Sequence, residues 1–373
     1  MEVSPLDVVI SQGNRERVLA LLESGSTEFL GEILLLSAAH NQARILHDLF
    51  VFHPAFDPNV TTSHGQTGVF LASEAGHRDV VVELLKDPRT DVNRQTELGF
   101  TPLYAACKKG QLEVVKILLE DSRVDVNCTC GPQKDSPFHV ACRTGQVEVV
   151  EEMRKDASVN MNLRDRQGHT PFYTACAEGE TKVVQVLKED HRVDVTSHGW
   201  LGTPFSVACA KSNLYVIEEL LWDERIDVNE GDATGLTPFA LACKVNNVKV
   251  VRRLVKEWRI DINRQTGEGA TPLIIAVAGG LGEIVNLLLS SGRPINTQAV
   301  MDGRTAFEIS ERENHPLLGS EIAGFDSPLN RKLYLQHVLN QKEVTFRSQR
   351  LSEQDCINIA AEIQQSAVIE SLT

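Results

Sequence analysis

A motif of the form Thr-Pro-Leu/Phe-x-x-Ala-Cys recurs along this chain of 373 residues, with copies opening at Thr101, Ser136, Thr170, Thr203, Thr237 and Thr271. Weaker copies open at Thr67, where Gly68 replaces the proline, and at Thr305, where Ala306 does. Successive starts lie 34, 35, 34, 33, 34, 34 and 34 residues apart. A unit that short cannot enclose its own core, so neighbouring units must stack and share one. Such an architecture offers a surface rather than a reaction centre.

In the unit TPLYAACKKGQLEVVKILLEDSRVDVN, Thr101 suits a helix N-cap and Pro102 the first helical position. Leu103, Ala106 and Cys107 form one apolar stripe, and Gly110 ends the short helix because glycine accepts the left-handed conformation there. Gly76, Gly145, Gly179, Gly280 and Asn246 hold the same offset in other units, and Ser212 departs from it. A second helix follows, with Val114, Val115, Leu118 and Leu119 inward and Glu113, Lys116 and Glu120 outward. After it comes Asp-Val/Ile-Asn, which aligns Asn59, Asn93, Asn127, Asn162, Asn229, Asn263 and Asn296, with Thr196 breaking the row. Side chains of this type bond nearby backbone, so the row is expected to tie one loop to the next.

The openings TPLYAACKKG, SPFHVACRTG and TPFYTACAEG, with the V-V-x-x-L-L and D-V-N patterns that follow, resemble the ankyrin repeat over residues 4–320. The resemblance implies an all-α solenoid of stacked helix-turn-helix units with projecting β-hairpin-like loops. It also implies recognition of other proteins through the hairpin tips and the inner, first-helix face.

The repeat pattern divides the chain into an N-terminal capping repeat (1–32), an array (33–304), a degenerate C-terminal cap (305–320) and a linker with a non-repeat helical tail (321–373). Pro316 is expected to interrupt the second helix of the cap. In the tail, GFDSPLN (324–330) reads as linker, RKLYLQHVLNQ (331–341) as a short helix and Ser352 as the N-cap of a longer one. The tail either folds back on the last repeat or docks a second partner, which would make the chain an adaptor.

Thirty-seven basic residues against 51 acidic ones give a net charge of −14, which argues against broad contact with nucleic acid or anionic lipid. MEVSPLDVVI is no signal peptide, and no apolar run has membrane-spanning length, so the cytosol or nucleus is expected. Cys107, Cys142, Cys176, Cys209 and Cys243 share one place in consecutive units. Stacked helices stand about 8–10 Å apart, too far for disulfides along the row, so these thiols read as small apolar contacts in a reducing compartment.

Phosphate-binding, hydrolase-elbow, zinc-protease and kinase signatures do not occur, so neither catalysis nor a cofactor is expected; an enzyme with an unrecognised site is the opposing reading. Cys128, Cys130, His139 and Cys142 have spacing that zinc could use, but His139 and Cys142 are already explained by the repeat. Only the pair Cys128 and Cys130 has no repeat explanation. The ankyrin resemblance further implies that Asn127 and Asn229, each eight residues after a leucine, are in the context of asparaginyl hydroxylase substrates.

The same resemblance places the late turns of the first helices on the partner face. Lys108, Lys109, Arg143, Lys211 and Lys244 stand there, and Lys134, Arg166 and His169 stand in the adjoining loops. The expectation is a locally positive groove that selects an acidic or phosphorylated segment of another protein, bound by a monomer. Phe100, Trp200 and Leu236, at hairpin tips, are the expected apolar anchors. Trp222 and Trp258, near second-helix ends, are expected to pack between units.

Overall fold

The computed structural model describes residues 4–24 and 27–325. They form two compact units, Met1–Leu241 and Ala242–Thr373, whose boundary falls inside one helix. The tail segments 331–341 and 352 onward, and Cys356 with them, lie outside the described residues.

The first unit is a stack of helical hairpins: α1 (Pro5–Ser11) with α2 (Arg15–Glu23), α3 (Leu30–Ala39) with α4 (Ala43–Phe52), and α5 (Gly68–Ala75) with α6 (Arg78–Leu85). It continues with α7 (Pro102–Lys109) and α8 (Leu112–Glu120), α9 (Pro137–Arg143) and α10 (Val147–Met153), α11 (Pro171–Glu178) and α12 (Thr181–Lys188), and α13 (Pro204–Lys211) and α14 (Leu214–Leu221). Helix α15 (Pro238–Lys244) crosses the boundary. The second unit holds α16 (Val248–Leu254), α17 (Pro272–Ala278), α18 (Gly282–Leu289), the two-stranded ribbon β1 (Val300–Met301) and β2 (Arg304–Thr305), α19 (Ala306–Arg312) and α20 (Pro316–Phe325). Within each unit, first helices pack on first helices and second on second.

The motif residues act as their chemistry predicts. The hydroxyls of Thr101, Ser136, Thr170, Thr203 and Thr271 accept hydrogen bonds from backbone N–H groups three residues on, at 3.1–3.3 Å. Gly110 ends α7 at φ 72°, and Ser212 takes the same left-handed conformation at φ 68° despite its Cβ. Cys107, Cys142, Cys176 and Cys209 form no disulfide and are fully buried, and burial raises every one of these thiols. Cys243, in the second unit, is in the same state.

The asparagine row is a hydrogen-bonded ladder. Asn93 donates to the Arg123 carbonyl at 2.7 Å and accepts from the Asp125 N–H at 2.8 Å. Asn127 repeats this on Ser158 and Asn160, and Asn162 on Arg192 and Asp194. In the second unit Asn263 does the same toward Pro294 and Asn296. Thr196 bonds within its own loop, to Asp194.

A second ladder escaped the sequence reading. Arg89, Arg123, Arg192 and Arg225 each pair with an aspartate two residues earlier: Asp87, Asp121, Asp190 and Asp223. Each guanidinium also donates to a carbonyl of the preceding repeat: Pro54, Leu85, Arg154 and Lys188. The arginine hydrogen bond is the largest influence on each carboxylate and holds it below the ordinary range, with Asp190 at about 2.

The C-terminal boundary needs correction. Pro316 opens α20 rather than interrupting it, since a first-turn proline forfeits no helical hydrogen bond. The helix runs to Phe325, past residue 320 and into the stretch read as linker. Likewise α3 begins at Leu30, ahead of the boundary set at 33.

Asn127→Ala should cost about 1–2 kcal/mol in urea unfolding, because two inter-repeat bonds go at once. Thr196→Asn, which completes the row, should gain up to about 1 kcal/mol. The depressed aspartates stabilise the fold above their unfolded pKa, and that contribution goes as pH falls through the folded value. Stability should therefore drop between about pH 4 and about pH 2, and Asp190→Asn should lose less over that interval than the unaltered chain.

Candidate protein-binding site

The sequence-predicted residues form two neighbouring groups within the first unit. The first surrounds Phe100. Its half-buried ring stacks on Tyr104 with centroids 4.7 Å apart, and the Lys108 ammonium stands 5.8 Å from its centroid. The ring also covers Gly131, where an added Cβ would come within 2.5 Å of it. Phe100 therefore has a structural duty besides any partner contact. Lys108 and Lys109 are exposed, and Lys109 lies 4.0 Å from Glu74.

The second group is a cleft of about 530 Å³ to which Arg143, His169, Tyr173, Trp200, Leu201 and Lys211 contribute. The loop before α13 is one residue short and closes as a tight turn, with Gly199 and Gly202 bonded to each other at 2.9 and 3.3 Å. That places Trp200 and Leu201 at the tip. The Trp200 N–H donates to His169 Nε2 at 3.4 Å and the Leu201 N–H to the Tyr173 hydroxyl at 3.2 Å. His169 stacks on Tyr173 at 4.4 Å, with Nδ1 3.4 Å from Asp165. Only glycine fits at 199, since a Cβ there would meet both rings within 2.7 Å. Burial raises the Tyr173 phenol, so it stays protonated. Trp200 itself is 80% exposed, with its indole free at the rim.

The charges around the cleft are less uniformly positive than expected. Arg143 is spent on the buried carboxylate of Asp135 and on the Tyr104 hydroxyl. Asp165 and Glu178 add negative charge to the lining. Lys211, Lys134 and Arg166 are exposed. The Arg166 backbone N–H bonds the Gln133 carbonyl at 2.8 Å, which sets Arg166 beside the loop of Lys134.

Three apolar assignments change. Leu236 is only 8% exposed, its loop closed by the Asp232–Leu236 backbone bond and by the Asp232 carboxylate on the Leu236 N–H, so it is a core residue and not an anchor. Trp222 and Trp258, expected to pack between units, are 82% and 77% exposed. Trp222 caps the C-terminus of α14 directly after buried Leu221, and Trp258 lies in the loop four residues after Leu254, the last residue of α16. Lys244 belongs to the second unit.

The histidine of the zinc-like spacing has no nitrogen to spare: His139 Nδ1 meets the Ser136 hydroxyl at 2.8 Å and Nε2 the His169 carbonyl at 3.0 Å. Burial chiefly lowers its pKa. No group of three metal-binding side chains occurs among the described residues. Asn127 is held at both ends of its amide by the loop ladder, so a hydroxylase would have to draw it out. Asn229 is half-buried, with its N–H bonded to Asp227 at 2.9 Å.

Comparison with known families matches the ankyrin repeats model in three copies, at residues 34–130, 122–199 and 203–299. These cover more than half of the chain, which belongs to the ankyrin repeat family. Ankyrin repeats are in general modules for binding other proteins. No curated protein matches the sequence. No helix among the described residues is long and apolar enough to cross a membrane.

All three tryptophans of the chain are thus exposed. Native fluorescence should be quenched by iodide nearly as fully as in urea, with little shift of the emission maximum on unfolding. Trp200→Ala should leave urea stability within about 0.5 kcal/mol, whereas Leu236→Ala should cost about 2–3 kcal/mol.

Proposed function

We propose that the first unit grips an extended acidic or phosphorylated segment of another protein along its first-helix face. The observation that carries this reading is the preformed cleft beneath an exposed indole. His169, Tyr173 and the backbone of the Trp200 turn are locked to one another before any partner arrives. A rigid aromatic anchor costs little entropy to bury, and tryptophan dominates many interfaces. Lys108, Lys109, Lys134, Arg166 and Lys211 supply positive charge beside it on a chain of net charge −14. With Arg143 neutralised by Asp135, selection falls to these exposed cations, and their chief effect is on orientation and on-rate. Trp200 and Leu201 set the off-rate. The protein acts as a scaffold, with no chemical step of its own.

The test is a surface-displayed peptide library carrying acidic, phosphoserine, neutral and basic members. The full chain should enrich acidic and phosphoserine peptides that also carry an apolar residue. Their on-rates should fall at least tenfold between low and physiological salt. Reversing Lys108, Lys109 and Lys211 to glutamate should slow association by a similar factor, and Trp200→Ala should mainly raise the off-rate. Enrichment indifferent to charge would remove the acidic-partner reading, and binding unaffected by Trp200→Ala would remove the cleft.

A further inference from the structure

Seven cysteines lie among the described residues, and they fall into two chemical kinds. Cys107, Cys142, Cys176, Cys209 and Cys243 are sealed in the helix interfaces with their thiols held protonated by burial. Cys128 and Cys130 stand instead in the loop between α8 and α9, outside that row. Cys128 is half-exposed, and the Gln95 side-chain amide donates to its sulfur at 3.3 Å. Cys130 is buried, with its thiol donating to the Cys128 backbone carbonyl at 3.5 Å and standing 3.5 Å from the Thr101 hydroxyl. Two residues of chain span at most about 7 Å between Cα atoms. That brings the pair within the reach of a disulfide.

We propose that Cys128 and Cys130 are a reversible oxidation site: a hydroperoxide oxidises Cys128, and Cys130 resolves it as an intramolecular disulfide. In the first step the Cys128 thiolate attacks one peroxide oxygen and the O–O bond breaks. The leaving oxygen takes a proton and departs as water or an alcohol, which leaves Cys128 as a sulfenic acid. In the second step the Cys130 sulfur attacks the Cys128 sulfur and the S–O bond breaks. Hydroxide leaves with the Cys130 proton as a second water. The two thiols have given two electrons, and the peroxide has accepted them. A dithiol reductant reverses the change by exchange.

The roles follow from the surroundings. Interaction with the Cys130 thiol, opposed by burial and helped by the Gln95 amide, brings the Cys128 thiol down to about 6, which favours the thiolate on the more accessible sulfur. The bond to Cys128 and burial push Cys130 up, so it holds its proton until the second step. The nucleophile is thus the reachable sulfur and the resolving thiol the sheltered one.

The full-length chain carrying Cys356→Ser, treated with a few equivalents of hydrogen peroxide and then alkylated, provides the test. Intact and peptide mass spectrometry should show a loss of two hydrogens, with Cys128 and Cys130 joined and the five interface cysteines still reduced. Dithiothreitol should restore both thiols. Cys130→Ser should stop at a sulfenic acid on Cys128, trapped by dimedone, and Cys128→Ser should show neither product. Alkylation of Cys128 by iodoacetamide should already be near its plateau at pH 7, with circular dichroism confirming that each variant keeps its helices. The proposal fails if peroxide leaves both thiols free, if Cys128→Ser is oxidised as readily as the parent, or if the product is a disulfide between chains.

Discussion

Everything in this protein depends on the contact between one helical hairpin and the next. No single hairpin has an interior. The inward positions of α7, for example, are Leu103, Ala106 and Cys107, and they are buried with α8 of the same hairpin and α5 and α9 of the neighbouring ones packed on α7. Small residues at the alanine and cysteine positions let first helices approach closely, and the second helices then meet through their valines and leucines. Stability in such a stack is a sum over interfaces. The backbone groups that this arrangement strands at helix starts and in loops must be satisfied locally, which the threonine caps and the asparagine ladder do.

That division of labour explains what could be read in the sequence. Helix starts, helix ends and the buried cysteine row repeat in register because each interface poses the same packing problem, so a single period exposes them all. Ser212 shows the strength of the constraint: the turn adopts the left-handed conformation even where the residue is not the one that favours it. The arginine ladder was missed although Asp-x-Arg recurs as visibly as the asparagines, because exposed charges two residues apart ordinarily read as solvated surface. Their role lies in the carbonyls of the preceding repeat, which no local pattern reveals.

The site was legible only in part, for a related reason. Repeat position indicates which face a residue occupies but not what its neighbours on adjacent repeats have already claimed. Arg143 sits where a partner-binding cation is expected, yet Asp135, from the loop before its own helix, has consumed its charge. Leu236 occupies the same hairpin position as Phe100, but one lies within its loop and the other stacks across a tyrosine. Trp222 and Trp258 follow second helices whose inward positions are already filled by Leu220, Leu221 and Leu254, which leaves the larger side chains outside.

The two places where the spacing between successive motif openings departs from 34 are the loops that carry the Cys128–Cys130 pair and the Trp200 turn. Between Thr101 and Ser136 the spacing is 35 residues, and the additional residue lies in the loop that carries Cys128, Cys130 and Lys134, the last with φ at 59°. Between Thr170 and Thr203 it is 33, and the missing residue tightens the turn that hangs Trp200 over His169 and Tyr173. An insertion or deletion inside a helix would have shifted an interface and disrupted both neighbours. In a loop it changes only what is presented to solvent, so the repeat keeps its packing while one loop gains a dithiol and another an aromatic cleft. Gln133, from the lengthened loop, lines the cleft roofed by the shortened one. The departures from regularity therefore converge on one stretch of the first-helix face, and the regular repeats on either side hold that stretch rigid.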